Sequence, residues 1–228
     1  MTWTLPLLLS YLVGGIPWSW LAGRLIGGID LRRVGSGNLG ATNTYRALGA
    51  RVAIPVLVLD VLKGYAAPAL CARLAGPGPF APATHATLCG LLAILGHMFS
   101  PYLGLRGGKG VATAAGVFAA LEPIALLVAL AVFVLAFALS GGIVSVGSLL
   151  ASIALPVAMR VARGGDIDRA RLALVAALVV LVWVKHTANI GRLRRGQEPS
   201  LLSRRRGALA ARAAGGAGDA GAARKESA

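Results

Sequence analysis

Charged residues are scarce in this chain, and acidic residues are the scarcest. Only 14% of its 228 residues are charged, and 8 Asp and Glu stand against 23 Lys and Arg. A soluble domain carries about a quarter charged residues. Here 57% of the residues are hydrophobic, and the mean hydropathy is +0.74. The composition excludes an ordinary soluble domain and predicts a membrane domain of several helices.

Cysteine is nearly absent as well. Cys71 and Cys89 are the only two, so the disulfide framework of a small secreted protein is excluded. Both lie in apolar stretches and lack a metal-ligand neighbourhood in the sequence. We therefore expect two reduced, buried thiols, and neither a metal nor a cofactor.

Positive charge is concentrated near the C-terminus. Nine basic residues follow Gly191: Arg192, Arg194, Arg195, Arg204, Arg205, Arg206, Arg212, Arg224 and Lys225. Basic segments beside membrane helices set topology or contact anionic lipid, and no aromatic residues are interleaved to suggest nucleic-acid binding. We expect a membrane-embedded domain over residues 1–200 and a disordered, basic, Ala/Gly-rich cytoplasmic tail over residues 201–228.

Six apolar stretches have lengths near or above the roughly 20 residues that a spanning helix needs. They are Leu5–Gly28, Val52–Ala75, Ala83–Leu105, Val111–Ser140, Ile143–Val161 and Leu172–His186. The first lacks the basic segment of a signal peptide and is interpreted as a retained span. The fourth is long for one helix and contains Glu122-Pro123, so it is either one kinked span or two short ones.

Loop charge favours two short spans there, and hence seven transmembrane helices in an all-α integral membrane protein. With seven, the loop around Ser36, the loop Arg106–Gly110, the turn Gly141–Ser148 and the tail share one face, which collects most of the basic residues. By the positive-inside tendency this face is cytoplasmic and the N-terminus lies outside. Six spans would put either the first loop or the tail on the wrong side.

The first of three polar motifs is rich in glycine, hydroxyl and amide groups. It reads Gly35-Ser36-Gly37-Asn38-Leu39-Gly40-Ala41-Thr42-Asn43 and is followed by Arg46. Glycines let backbone N–H groups approach a ligand, and arginine can bind phosphate through two donors. Polar groups without acids favour an anionic ligand. The alternative is a plain turn between spans, with Arg46 as a topology charge.

The second and third motifs have the same character. Arg106-Gly107-Gly108-Lys109-Gly110 precedes a predicted helix, an arrangement suited to anion binding, and His97 lies upstream. The alternative for this loop is a flexible connection whose lysine lies on the inner side of the membrane as a topology charge. In the third motif, His186-Thr187-Ala188-Asn189-Ile190-Gly191-Arg192-Leu193, the first and fourth residues lie one helical turn apart. Asp60 and Lys63 share a helical face inside a span and are either functional or mutually neutralising.

Together the three motifs resemble the bacterial acyl-phosphate:glycerol-3-phosphate acyltransferases, integral-membrane enzymes of phospholipid synthesis. The resemblance extends to about Glu198, with Arg106 standing where the family usually has lysine. It implies seven spans in the bacterial plasma (inner) membrane and an active site facing the cytoplasm. It also implies transfer of a fatty acyl group from acyl phosphate to the 1-hydroxyl of glycerol 3-phosphate, giving lysophosphatidate and phosphate. Functional coupling to an enzyme that makes acyl phosphate is a further expectation.

On this interpretation the polar residues divide into three groups. We expect the acyl phosphate head to be bound by Gly37, Asn38, Thr42, Asn43 and Ser145. Arg46 and Lys109, supported by His97, would bind glycerol 3-phosphate. The attacking hydroxyl and the carbonyl would be surrounded by Ser36, His186 and Asn189. Direct transfer is favoured over an acyl-enzyme on Ser36, and the proton goes either to His186 or to the substrate phosphate.

Two other classes of protein remain as alternatives. A transporter for phosphorylated solutes would also use basic loops, but internal repeats and a midplane site are missing from the sequence pattern. A membrane scaffold that binds anionic lipid or acidic partners would explain the tail and leave the three motifs unexplained. The His-x-x-x-x-Asp pair of soluble and acyl-CoA-dependent glycerophosphate acyltransferases is absent, because Gly90, Tyr102 and Gly191 follow the three histidines at that spacing.

Overall fold

The computed structural model describes residues 3–202, and within this range all regular structure is helical. The helices are α1 Thr4–Gly15, α2 Trp18–Leu25, α3 Ala41–Leu48, α4 Ala50–Leu74, α5 Pro82–Met98, α6 Val111–Leu121, α7 Pro123–Leu139, α8 Val144–Ala162, α9 Arg169–Lys185 and α10 Thr187–Arg194. The predicted all-α fold is confirmed for these residues. Most of the predicted tail, residues 203–228, lies outside them.

Several helices are long and apolar enough to cross a bilayer. Four stretches meet this requirement on their own: Thr4–Leu25, Ala50–Cys71, Pro82–Leu103 and Val144–Ala162. Helices α9 and α10 form a fifth if this pair, bent by 56°, is one span. The long apolar stretch divides at Glu122-Pro123 into the shorter helices α6 and α7. The chain is thus a multi-pass membrane protein, while seven spans and the orientation of the termini stay predictions.

Glycine allows the helices that carry the polar motifs to pack backbone to backbone. A Cβ atom on Gly96 of α5 would lie 2.1 Å from the Tyr11 carbonyl oxygen of α1. One on Gly64 of α4 would lie 2.0 Å from the Thr113 carbonyl oxygen of α6. Small residues at such crossings are typical of membrane helices, where association depends on close packing. These contacts hold α5 and α6, and therefore the loop between them, against α1 and α4.

A buried charge cluster joins four helices at Glu122. Its carboxylate accepts a hydrogen bond of 2.8 Å from Nη2 of Arg171 on α9, and Nη2 of Arg163 lies 2.8 Å away at the end of α8. Nε of Arg171 also donates to the Thr87 hydroxyl of α5 at 3.1 Å. Glu122 and Arg171 are buried, so each charge depends on the other for compensation.

The two cysteines have a neighbour that their sequence surroundings do not reveal. Helices α4 and α5 pack side by side and bring Cys71, His85 and Cys89 together, with all three buried. The expectation that the cysteines lack a metal-ligand neighbourhood is therefore wrong. The connection between the helices returns α5 antiparallel to α4, which makes residues 14 positions apart into neighbours.

Replacing Glu122 with glutamine should destabilise the bundle, because Arg171 would keep its buried charge without a carboxylate. We expect a loss of about 3–5 kcal/mol, seen as a drop of roughly 10 °C in the melting temperature in detergent. Arg163→Gln is the matched control, since the Arg163 side chain is 41% exposed and its loss should cost below about 1 kcal/mol. Equal melting temperatures for the two variants would contradict the interpretation.

Candidate active site

The three polar motifs, far apart in the sequence, meet around the segment that follows α10. Arg46 of the first motif donates through Nη2 to the Pro199 carbonyl oxygen at 3.0 Å. Lys109 of the second motif donates through Nζ to Oδ1 of Asn189 in the third. The segment is also fixed to the α7–α8 turn, since the Ser200 hydroxyl donates to the Gly141 carbonyl oxygen at 2.6 Å.

Glu198 is the centre of the hydrogen-bond network in this region. Its Oε1 accepts from the Ser145 hydroxyl at 2.9 Å and from Nδ2 of Asn189 at 2.5 Å. Its Oε2 accepts from Nε of Arg192 at 2.7 Å. The side chain is only 3% exposed. Asn189 therefore bridges Glu198 and Lys109, donating to the carboxylate and accepting from the ammonium group.

The charges of this network shift the pKa values of its members. Burial alone would raise the pKa of Glu198, but hydrogen bonds from Asn189, Arg192 and Ser145 outweigh it and hold the pKa below its usual value. Burial lowers the pKa of Lys109 to about 8, with Arg192 and Arg46 acting in the same direction and Glu198 opposing them. Lys109 is thus a cation near neutral pH that loses its charge in mildly alkaline solution.

Asn43 fixes the shape of the first motif. Its buried amide donates to the carbonyl oxygens of Leu31 (3.2 Å) and Val34 (3.0 Å), and its Oδ1 accepts from the Ser36 backbone N–H at 3.0 Å. Gly35 has φ +61°, and a Cβ atom there would lie 2.5 Å from Oδ1 of Asn43. The amide is thus engaged by the loop itself. A direct contact between Asn43 and a ligand stays a prediction.

The other predicted residues of the first motif are more open. Ser36 is exposed, whereas Asn38 and Thr42 are partly buried. Gly37 has φ +69°, and a Cβ atom there would lie 3.0 Å from the Arg32 carbonyl oxygen, so a side chain would be strained in two ways. The loop therefore exposes a serine hydroxyl and keeps its backbone accessible.

Gly107 and Gly108 of the second motif lie so close to His97 that a side chain at either position would clash with it. The backbone N–H of Gly108 donates to the His97 carbonyl oxygen at 3.0 Å. A Cβ atom on Gly107 would lie 1.9 Å from that oxygen, and one on Gly108 would lie 2.3 Å from Nε2 of His97 and 2.4 Å from the Leu39 carbonyl oxygen. The pair thus packs the second motif directly against α5 and the first motif, with Lys109 as the next residue.

His97 also belongs to a buried ionic cluster with the pair Asp60 and Lys63. Nζ of Lys63 lies 2.7 Å from Oδ1 of Asp60 and donates to the Ile16 carbonyl oxygen at 2.8 Å. Nδ1 of His97 lies 3.4 Å from the same Asp60 oxygen. Asp60 and Lys63 therefore neutralise each other inside a span, and the carboxylate lies beside the histidine that supports the second motif.

His186 occupies the bend between α9 and α10. The ring is buried, and its Nδ1 lies 2.8 Å from the Val182 carbonyl oxygen. Because a carbonyl oxygen only accepts, Nδ1 carries the proton of this hydrogen bond, and in the neutral ring Nε2 keeps a lone pair. That nitrogen has the form of a proton acceptor or a hydrogen-bond acceptor.

An apolar cavity of about 90 Å³ extends from this region between α6, α7, α8 and α9. Its lining includes Val111, Ser148 and Val182, each within one turn of a residue of the polar site. Further along it is formed by Phe118, Phe133, Leu155 and other apolar side chains. A polar site and an apolar cavity therefore adjoin, as an amphipathic ligand requires.

The structure connects Arg46, Lys109, Ser145 and Asn189 through direct contacts to one another or to the segment at Glu198 and Pro199. The sequence prediction does not include Glu198 or Arg192. Glu198 is the only acidic residue between Asp168 and Asp219. An isolated acid directly after a basic cluster was the available signal.

Known proteins resemble this chain over most of its length. The family described as glycerol-3-phosphate acyltransferase matches residues 4–196. A glycerol-3-phosphate acyltransferase 1 of Deinococcus radiodurans is 46% identical over 204 residues, covering 88% of this chain and 96% of the relative. One from Desulfotalea psychrophila is 43% identical over 193 residues, covering 85% and 95%.

Solved structures give the same result. The crystal structure of PlsY (YgiH), an integral membrane glycerol 3-phosphate acyltransferase in its glycerol 3-phosphate form, superposes with a TM-score of 0.79. It is 34% identical and covers 87% of this chain and 95% of that one. The lysophosphatidic acid form gives a TM-score of 0.75 at 32% identity, covering 87% and 94%.

Glu198→Gln should loosen this region, because an amide offers one acceptor oxygen where the carboxylate offers two and places an NH₂ group among donors. We expect a loss of about 1.5–3 kcal/mol of stability, measured as a lower melting temperature in detergent. Gln197→Ala is the control, since it removes only an exposed hydrogen bond with Arg195 at 3.1 Å. If the two variants melt alike, Glu198 does not hold the site together.

Proposed function

The chain belongs to the glycerol-3-phosphate acyltransferase family, and we propose that its acyl donor is acyl phosphate. As a member of this family it is an integral-membrane acyltransferase of phospholipid synthesis that acts on glycerol 3-phosphate. The proposed reaction joins the fatty acyl group to the 1-hydroxyl and releases lysophosphatidate and inorganic phosphate. The observation that carries the proposal is the meeting of three phosphate-suited motifs beside an apolar cavity.

The arrangement of cations supports binding of glycerol 3-phosphate next to Lys109. Lys109 and Arg192 both interact with Glu198 or its partner Asn189, and Arg46 lies close enough to lower the Lys109 pKa. A phosphate dianion between these groups would make charge-assisted hydrogen bonds in a partly buried setting. Asn189 then acts by orienting the lysine, and His97 acts by supporting the glycine pair before it.

The cavity between α6 and α9 supports a fatty acyl chain as the group transferred. Burying an alkyl chain contributes about 0.8 kcal/mol for each CH₂ group. The end of the cavity nearest the polar site lies at Ser148 and Val182, which are close in sequence to Ser145 and His186. Because the cavity has a volume of about 90 Å³, only the first carbons of the chain would lie in it, with the carbonyl carbon toward the polar site. Ser36, Gly37, Asn38 and Thr42 would contact the donor phosphate on the other side, within a loop that Asn43 holds in shape.

The chemistry proposed for the site is direct transfer. The hydroxyl oxygen of glycerol 3-phosphate attacks the carbonyl carbon, and the bond from that carbon to the phosphate oxygen breaks. Acyl phosphate is a mixed anhydride with a good leaving group, so positioning and stabilisation of charge supply most of the catalysis. The hydroxyl proton passes to Nε2 of His186 or to the departing phosphate. Glu198 is unsuited to this role because its oxygens already accept three hydrogen bonds.

We place the active site on the cytoplasmic face, where the donor could be delivered by the enzyme that makes it. Basic loops and the basic segment after α10 support this orientation through the positive-inside tendency. A transporter of phosphorylated solutes fits the site less well. Four polar residues contact a single segment, residues 196–202: Arg46, Ser145, Asn189 and Arg192. The cavity beside them is lined mainly by apolar side chains.

The donor can be identified with purified protein and labelled glycerol 3-phosphate. Palmitoyl phosphate, palmitoyl-CoA and palmitoyl-carrier protein are supplied in parallel, and we expect lysophosphatidate with palmitoyl phosphate alone. Product from CoA or carrier protein alone would overturn the proposed donor and leave the family assignment intact. If folded protein is silent with all three and liposomes containing it accumulate glycerol 3-phosphate, the transporter is the better description.

Lys109 should make substrate binding depend on pH. Its pKa of about 8 means that the cation is lost as the pH rises from 7 to 9, so KM for glycerol 3-phosphate should rise over this range. Lys109→Arg stays charged and should give a flat KM profile. Lys109→Ala should raise KM at pH 7 more than about tenfold, the equivalent of one charge-assisted hydrogen bond. Parallel profiles for wild type and Lys109→Arg would exclude this role.

A further inference from the structure

A second cluster of chemically reactive side chains lies outside the acyltransferase site. It consists of Cys71 near the end of α4 and of His85 and Cys89 on successive turns of α5. The three ligand atoms all lie within 4.8 Å of one another. The exposed fractions of the residues are 1%, 5% and 0%. The acyl-transfer chemistry proposed above makes no use of this cluster.

The imidazole is fixed in the tautomer that a metal ligand needs. Nε2 of His85 lies 2.9 Å from the Trp3 carbonyl oxygen. Because that oxygen can only accept, Nε2 carries the ring proton, and Nδ1 of the neutral ring presents its lone pair to Sγ of Cys71. Donation of the second ring N–H to a carbonyl is the usual outer contact of a metal-bound histidine.

The spacing of the ligand atoms agrees with tetrahedral coordination. Sγ of Cys71 and Nδ1 of His85 are 3.6 Å apart. Bonds of about 2.3 Å to sulfur and 2.05 Å to nitrogen at a tetrahedral angle give an edge of about 3.6 Å. Sγ of Cys89 lies within 4.8 Å of both of these atoms.

The net charge of the three ligands favours a divalent metal ion. Two thiolates and one neutral imidazole carry two negative charges, which a divalent cation cancels, whereas a monovalent copper ion would leave a net charge in a buried site. Soft sulfur and imidazole ligands in tetrahedral geometry are typical of zinc. We propose that Cys71, His85 and Cys89 form a zinc-binding site that joins α4 to α5 and, through His85, to Trp3, which precedes α1.

Binding at this site involves no redox change. The two thiols lose one proton each as Zn²⁺ forms two Zn–S bonds and one bond to Nδ1, so two protons pass to solvent for each ion bound. Trp3 covers the histidine, with its ring 6.4 Å from the imidazole and 5.8 Å from Phe80.

The test uses tag-free protein in detergent, stripped with a chelator and then exchanged into Zn²⁺ or Co²⁺. Elemental analysis after removal of free metal should find about one zinc per chain, and Co²⁺ should give a near-ultraviolet thiolate charge-transfer band. Zinc should also raise the melting temperature of the stripped protein. The cobalt band of the wild type requires thiolate ligands and does not depend on whether any variant folds.

Cys71→Ser, Cys89→Ser and His85→Gln should each reduce bound zinc at least about tenfold, because a three-residue site loses a ligand. His186→Gln changes another buried histidine outside the cluster and should bind zinc like the wild type. Absence of both zinc and the cobalt band from wild-type protein would overturn the proposal. So would equal zinc in wild type and both serine variants, or an intact mass showing a disulfide between Cys71 and Cys89.

Discussion

The site depends on the hydrogen bonds that the buried carboxylate of Glu198 accepts. A carboxylate that is only 3% exposed must be paired. Glu198 lies in the segment after α10, and its partners come from α8 and from α10. Through Asn189 the same charge fixes Lys109, which the glycine pair Gly107 and Gly108 holds against His97. One acidic group among basic residues thus brings the third motif to the second and lowers the conformational freedom of the lysine.

The polar network lies beside an apolar cavity, an arrangement that suits a substrate with both a phosphate group and an alkyl chain. The polar groups gather around residues 196–202, while the adjoining cavity of about 90 Å³ is lined by side chains such as Phe118 and Leu155. The helices can approach closely because glycine occupies their crossings, as at Gly64 and Gly96. The buried cluster of Glu122 with Arg171 and Thr87 joins α5, α7 and α9 through a separate set of contacts.

Much of the site could be predicted from the sequence because its chemistry lies in compact motifs. Glycine, hydroxyl, amide and cationic groups within a few residues indicate phosphate binding, and this pattern singled out Lys109, Arg46 and Asn189. The structure brings these three residues to one region, while their binding roles stay predictions. The specific task of each residue was less accessible. Asn43 reads as a ligand group, but its amide is engaged by Leu31, Val34 and Ser36 because the loop around Gly35 needs internal hydrogen bonds.

Sequence alone determined the membrane-embedded helical character and the family, since hydrophobic length and local motifs are properties of contiguous residues. Only the tertiary structure decided which distant groups share a site, because such contacts depend on how helices cross. Glu198 is the centre of the network because the segment after α10 packs against α8. Cys71 and Cys89 have His85 as a neighbour because α5 runs back along α4. Residue spacing within one stretch of sequence does not predict a contact of this kind.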